Sequence, residues 1–340
     1  METYLLPIVS ILAGFALLIW SSDVFVDGAA DLARHFGISP ILVGMLVIGF
    51  GTSAPEMLVS GVAAFNGNPD MGIGNGIGSN ITNITLVLGV TALFYALPVE
   101  SRIVEKELPL LLIISFIAMI TLYFGEFGPL DGAILLITLA FVLTWMIYTA
   151  KKESESSPPP HDPLLTDIKD HFPPKPHNKT AMLWTIGGLL LLLLSSQMLV
   201  WGASSIAVTL GVSDLVIGLT IVAIGTSLPE LAATLVSAKK GETDLAIGNI
   251  VGSNFFNTLG VLALPAIISP GMPDSNAIYR DMPIALVITT VLLLFAWGCW
   301  QKRIIKFGKG AILLSLFFGY QFLLFYQSSH DITCRTFFCL

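Results

Sequence analysis

Apolar residues run through this chain in long blocks, interrupted at regular intervals by small polar clusters. LLPIVSILAGFALLIW, LPLLLIISFIAMITLYF, AILLITLAFVLTWMIY, LLLLLLSS and MPIALVITTVLLLFAWGCW are the clearest examples. Roughly 20 apolar residues at 1.5 Å rise span a hydrocarbon core of about 30 Å. The pattern predicts ten such helices, at 4–34, 39–66, 71–97, 105–124, 130–150, 180–210, 213–239, 244–268, 280–300 and 308–327. The expected fold is an all-α integral membrane protein of about ten transmembrane helices, arranged as two five-helix halves.

Composition agrees with that pattern. Only 11% of residues are charged and 54% are hydrophobic, whereas a soluble domain carries about 25% charged residues. A net charge of −7 argues against nucleic acid as a partner. Cys299, Cys334 and Cys339 show neither metal spacing nor a disulfide framework. The start of the chain lacks a basic region, and its first apolar run continues as a full-length helix, so no cleavable signal is expected.

The one long polar stretch, 151–179, contains Pro158-Pro159-Pro160 and Pro173-Pro174-Lys175-Pro176 and is expected to be an extended linker. It separates a first unit (1–150) from a second (180–327), followed by a tail (328–340). With the connections numbered along the chain, 14 of the 16 Lys and Arg residues fall on the odd-numbered ones. The positive-inside rule then places both termini outside and the 151–179 loop in the cytoplasm of a multi-pass cell-membrane protein.

Residues 37–83 align with 211–257 without a gap, at a constant offset of 174, with 19 of the 47 positions identical. Gly51-Thr52-Ser53-Ala54-Pro55-Glu56 meets Gly225-Thr226-Ser227-Leu228-Pro229-Glu230, Gly78-Ser79-Asn80 meets Gly252-Ser253-Asn254, and Asn83 meets Asn257. Five spans per half is an odd number, so the second copy enters the membrane from the opposite side. Inverted repeats of this kind commonly form transporters whose substrate site lies at the midplane between the halves.

Glu56 and Glu230 stand in the middle of apolar spans, where an ionised carboxylate costs at least ~2.5 kcal/mol. With no Lys or Arg at that depth in either repeat, the counter-charge is a metal ion or a proton. Pro55 and Pro229 remove a backbone donor and break the helix, and Gly51 and Gly225 tolerate an unwound backbone. Thr52, Ser53, Thr226 and Ser227 add hydroxyls beside each break. The supply is all oxygen, which suits a hard cation such as Ca²⁺ with its 6–8 ligands and argues against zinc or copper.

Asn75, Ser79 and Asn83 are spaced by four and form one stripe, which Asn249, Ser253 and Asn257 repeat. Asn83 and Asn257 are placed nearest the cation, with Ser79 and Ser253 close behind. Asn75, Asn249, Asn80 and Asn254 fit a supporting or packing role equally well. Asp70 and Asp244 are expected to cap the helices they begin. Asp23 fits an ion path or a near-interface carboxylate equally well.

The paired Gly-Thr-Ser-x-Pro-Glu and Gly-Ser-Asn-x-x-Asn segments resemble the two alpha repeats of the calcium/cation antiporter superfamily, in its sodium/calcium exchanger branch. The resemblance places those repeats at about 37–90 and 211–264. It implies a calcium site formed by Glu56 and Glu230 with backbone carbonyls of Thr52 and Thr226. It also implies sodium sites that add Ser53, Ser227, Ser79, Ser253 and Asn83. Some members carry Asp at the position of Asn257; Asn here leaves two central carboxylates and argues against potassium co-transport. The large calcium-sensing loop of animal exchangers is missing, as in compact prokaryotic members.

The reading that results is a secondary antiporter rather than an enzyme. It needs no cofactor and exchanges calcium for sodium by alternating access, with the first and sixth spans sliding across the rest. A proton/calcium exchanger of the same fold, a cation channel and a non-transporting scaffold are the alternatives. Oligomeric state is left open.

Overall fold

The computed structural model describes residues 2–36, 39–156, 178–210, 223–298 and 303–338. Nearly all of them are helical. Helix α1 is Glu2–Phe36. Three consecutive pieces, Pro40–Val43, Gly44–Ile48 and Gly49–Thr52, form α2, and α3 is Ala54–Phe65. Helix α4 joins Pro69–Thr82, Asn83–Val87 and Leu88–Phe94. Helix α5 joins Ile103–Glu107 to Leu108–Tyr123, and α6 is Pro129–Ser156.

The second half repeats the order. It comprises α7 (Asn178–Thr209), α8 (Ala223–Thr226), α9 (Leu228–Lys239), α10 (Thr243–Phe256, Asn257–Val261 and Ala263–Ile268), α11 (Ala277–Asp281 and Met282–Trp297) and α12 (Phe307–Phe338). Among the described residues, eight helical stretches are long and apolar enough to cross a membrane. The expected fourth span corresponds to α5, whose first turn carries Glu105, Lys106 and Glu107. The expected seventh corresponds to α8 and α9, and its first part, 211–222, lies outside the described residues.

Local chemistry explains the boundaries. Pro40, Pro55, Pro69 and Pro229 each stand in the first turn of a helix, where a missing N–H and a fixed φ suit the helix start. Gly67 and Gly241 adopt φ of 78° and 79° just past α3 and α9. In both places the glycine and its successor donate back to the last turn, Asn68 to Ala63 at 2.9 Å and Glu242 to Ser237 at 2.9 Å, closing the helix in the left-handed manner that favours glycine. Two helices outlast their expected ends. Helix α6 continues through Lys151–Ser156 into the polar stretch, and α12 continues to Phe338. The proline-rich residues 157–177 lie outside the described part.

The structural repeat is longer than the identity in sequence. At the same offset, Gly49–Thr52 matches Ala223–Thr226, Asn83–Val87 matches Asn257–Val261, Ile103–Glu107 matches Ala277–Asp281, and Leu108–Tyr123 matches Met282–Trp297. Four of these segments are π-helical, and one in each half begins at the repeated asparagine, Asn83 or Asn257. Such bulges concentrate at functional sites because they re-aim side chains within a helix.

Two apolar clusters hold the helices together. The larger joins α4, α5, α10 and α11 through Ile77, Ile84, Leu108, Ile114, Ile250, Leu259 and Ile288. The smaller joins α1 and α7 to α2 and α9 through Phe25, Val26, Leu192, Leu199, Ile48 and Ala233. Helices α1 and α7 lie almost backbone to backbone. A Cβ on Gly188 would come within 2.7 Å of the Phe25 nitrogen, and one on Gly202 within 2.7 Å of the Pro7 carbonyl. Small residues at such crossings let membrane helices approach closely. Leu5, Leu6, Leu12, Phe15, Leu183 and Leu190 of the same two helices remain exposed, as a lipid-facing surface requires.

The connections meet in a consistent order. Leu97–Pro98 (β1), in the third connection, pairs antiparallel with Ile304–Ile305 (β2), in the ninth. Arg303, also in the ninth, pairs with Glu105 at 3.4 Å. Phe127 in the fourth connection bridges Gly271 in the eighth. At the second and eighth connections, the Asp70 carboxylate accepts a bond from the Asp274 amide at 2.9 Å. Odd meets odd and even meets even, as ten alternating crossings demand. Asp70 therefore does not cap its own helix, and neither Asn68 nor Glu242, the true capping positions, makes a side-chain cap. Asp70 instead satisfies backbone on a neighbouring connection.

Candidate functional site

Two breaks bring the site together. At Ser53, between α2 and α3, the backbone leaves the helical region (φ −82°, ψ 3°), and at Ser227, between α8 and α9, it does the same (φ −87°, ψ 4°). Each break is one residue long. Gly51 itself stays helical; its missing Cβ admits Leu189, to which a Cβ would come within 2.7 Å. The expected unwinding at Gly51 is thus a close helix contact, and the hinge falls two residues later because Pro55 cannot donate into the preceding turn.

The half-helices α3 and α9 start at these breaks and carry Glu56 and Glu230 in their first turns. Glu56 is 1% exposed and Glu230 0%. They face one another's half. Ser53 donates to Glu230 Oε1 at 3.4 Å, and Thr52 lies beside the same carboxylate. Thr226 lies beside Glu56. The two carboxylates are close enough to repel each other electrostatically. No basic side chain acts on either among the described residues.

Both oxygens of Glu56 and Oε2 of Glu230 lack a hydrogen bond of full geometry among the described residues. Ser227 Oγ, Asn83 Oδ1 and both polar atoms of Asn257 share that condition, although Asn83 is 1% exposed and Asn257 0%. Buried polar atoms nearly always find a partner. A concentration of oxygens without one, next to two acidic side chains, has the character of a cation cradle.

A supporting layer is equally symmetric. Asn75 donates to the Glu56 carbonyl at 3.1 Å and to Ser60 Oγ at 2.9 Å. Asn249 donates to the Glu230 carbonyl at 3.2 Å and to Thr234 Oγ1 at 2.9 Å. These asparagines tie α4 to α3 and α10 to α9 at the acidic residue. Thr52 Oγ1 donates to Asn249 Oδ1 at 3.2 Å, and Ser253 Oγ lies 3.4 Å from Thr52 Oγ1. Across the seam, Asn83 donates to Asn254 Oδ1 at 3.2 Å and Asn80 to Thr258 Oγ1 at 2.7 Å. Ser79 is buried in the same wall.

The amides of Asn75 and Asn249 are engaged in this supporting layer, whereas Asn80 Oδ1 and Asn254 Nδ2 also lack a partner among the described residues. Ser60 and Thr234 were not singled out from sequence. They follow Glu56 and Glu230 by four residues in aligned positions, a same-face spacing that does point to them. Among the described residues no three His, Cys, Asp or Glu side chains cluster as a metal site, so two carboxylates with neutral oxygens are the available set.

A cavity of about 620 Å³ separates α3 from α7; its lining includes Pro55, Leu58, Val62, Asn66, Leu193 and Gln197. Along α3 it runs from Ala54 and Pro55 to Asn66, at the second connection. The equivalent surface of α9, carrying Leu228, Ala232, Ala233 and Val236, is packed against α1 in the smaller cluster.

The chain matches the family described as sodium/calcium exchanger protein over residues 6–148 and 180–326. It is 46% identical to CaxA of Alkalimonas amylolytica over 94% of this chain and 99% of that protein. It is 37% identical to the inner membrane protein YrbG of Escherichia coli, over 88% and 90%. Its backbone superposes on a solved structure of the sodium-calcium exchanger NCX_Mj with a TM-score of 0.78, at 32% identity, over 93% of this chain and 97% of that one.

Proposed function

Since the chain belongs to the sodium/calcium exchanger family, we propose that it exchanges Ca²⁺ for Na⁺ across the cell membrane by alternating access. The observation that carries this reading is the meeting of Glu56 and Glu230 in the buried seam, with oxygens left unbonded around them. Two carboxylates present a charge of −2, which one Ca²⁺ neutralises. The remaining ligands come from Ser53 and Ser227, from the backbone carbonyls of Thr52 and Thr226, and from Asn83 and Asn257. Na⁺ ions compete for the same carboxylates and draw on Ser79 and Ser253 as well. Because both cations need the same negative oxygens, occupancy by one excludes the other. That mutual exclusion is the physical basis of exchange.

Helices α1 and α7 act as one sliding body in this reading. Their mutual contact is tight, and they meet the rest of the protein through the smaller cluster. Sliding closes the cavity between α7 and α3 and opens its counterpart between α1 and α9. Ion contacts bias which arrangement is favoured. The charge pattern supports placing both termini and the cavity mouth outside, with 151–179 in the cytoplasm.

Calcium uptake into proteoliposomes tests the counter-ion. With internal and external pH clamped, an outward sodium gradient is expected to drive uptake. Uptake that follows a proton gradient and ignores sodium would instead make the chain a proton/calcium exchanger. Flux without either gradient coupling would make it a channel.

A further inference from the structure

Helices α3 and α9 end in the same geometry, on Asn66 and Lys240, each followed by a glycine with positive φ. These two residues occupy equivalent positions in the repeat, yet one is neutral and the other cationic. Lys240 reaches across to α1. Its Nζ lies 3.2 Å from Asp23 Oδ1 and 2.8 Å from Asp27 Oδ1, and donates to the Asp23 carbonyl at 3.0 Å. The repeat partners of Asp23 and Asp27 on α7 are Gln197 and Trp201. Asn66 and Gln197 both line the open cavity. So the α1–α9 side is fastened by three contacts from one ammonium, while the α3–α7 side carries two amides and an indole at the matching places.

We propose that Lys240, Asp23 and Asp27 form a charged clasp that holds the odd-numbered-connection gate shut, and that the neutral Asn66–Gln197 pair leaves the opposite gate without one. The inequality gives the resting protein a built-in preference for opening on the second-connection face. This rests on the alternating-access reading above. The three side chains are 26%, 43% and 60% exposed, and exposed ion pairs are individually weak. The clasp therefore tilts the equilibrium by about 3- to 10-fold rather than locking it. A tilt of that size leaves the ions in command, as a cycling transporter needs.

Two single-cysteine reporters test the clasp in full-length protein whose Cys299, Cys334 and Cys339 are replaced by serine. Val62→Cys lies in the open cavity, where Val62 is 50% exposed. Val236→Cys lies at the equivalent place under α1. Labelling by a charged, membrane-impermeant maleimide is followed in nanodiscs, in choline chloride with or without Ca²⁺ or Na⁺. Lys240→Asn is expected to speed labelling at 236 and slow it at 62, each by about 3- to 10-fold, and Asp23→Asn with Asp27→Asn is expected to do the same. Asn66→Lys with Gln197→Asp installs a clasp on the other gate and is expected to slow labelling at 62.

Both reporters speeding up together in Lys240→Asn would mean a general brace and overturn the clasp. If Ca²⁺ and Na⁺ shift the two reporters in opposite directions but Lys240→Asn moves neither, the clasp is wrong and alternating access stands. If no ion shifts either reporter, alternating access fails and the clasp falls with it.

Discussion

At the scale of single residues, the proposed site takes its charge from the acidic pair and its geometry from the asparagines behind it. Asn75 and Asn249 each hold the backbone carbonyl of a glutamate and a hydroxyl one turn away. Replacing either with alanine leaves buried acceptors unmet, at about 1–3 kcal/mol, and lets the carboxylate drift. Asn249→Ala is expected to lower the unfolding midpoint and weaken calcium binding together, measured by calcium-dependent thermal shift. Serine at the same position, which keeps a donor, is expected to recover part of both. The repeated Glu, Asn and hydroxyl positions were legible in the sequence because polar residues stand out in apolar spans and recur at one offset. Asp70, Asp23 and Lys240 were not: their partners lie 204 and 217 positions away, in Asp274 for Asp70 and between Asp23 and Lys240. Nothing local signals such a pairing.

The helix crossings at the seam are more demanding than the helices themselves. A Cβ on Gly44 would come within 2.8 Å of the Leu245 carbonyl, and one on Gly248 within 2.5 Å of the Ile41 carbonyl. The obstruction is backbone, which cannot swing aside. Gly248→Ala is therefore expected to cost about 1–3 kcal/mol or more through overpacking, read as a lower midpoint in thermal unfolding in detergent. Gly67→Ala is expected to cost about 1 kcal/mol for a different reason, the strained φ of its cap. The spans and the breaks after Thr52 and Thr226 follow from apolar length and proline placement. The extension of the repeat through Tyr123 and Trp297 does not. There Leu, Ile, Val and Phe replace one another freely on lipid-facing and core positions, so identity fades while the π-helical segments stay in register.

The whole molecule is a symmetric frame with an asymmetric outline: a cavity lies between α3 and α7, while α9 packs against α1. Sequence symmetry alone describes both faces equally, which is why the side of the cavity is not legible in the sequence. The same-parity meeting of connections carries a topological expectation: cysteines placed at Asp70 and Asp274 label from one face, and cysteines at Glu100 and Glu105 from the other, when intact and inverted vesicles are compared. The central claim is that one calcium ion is held jointly by acidic groups from both halves. Equilibrium calcium binding to purified protein in sodium-free buffer addresses it most directly, with Glu56→Gln and Glu230→Gln measured alongside and their folding confirmed by elution and thermal unfolding. One calcium per chain, lost in each single substitution, is the expected result. Undiminished binding in either folded variant would contradict it.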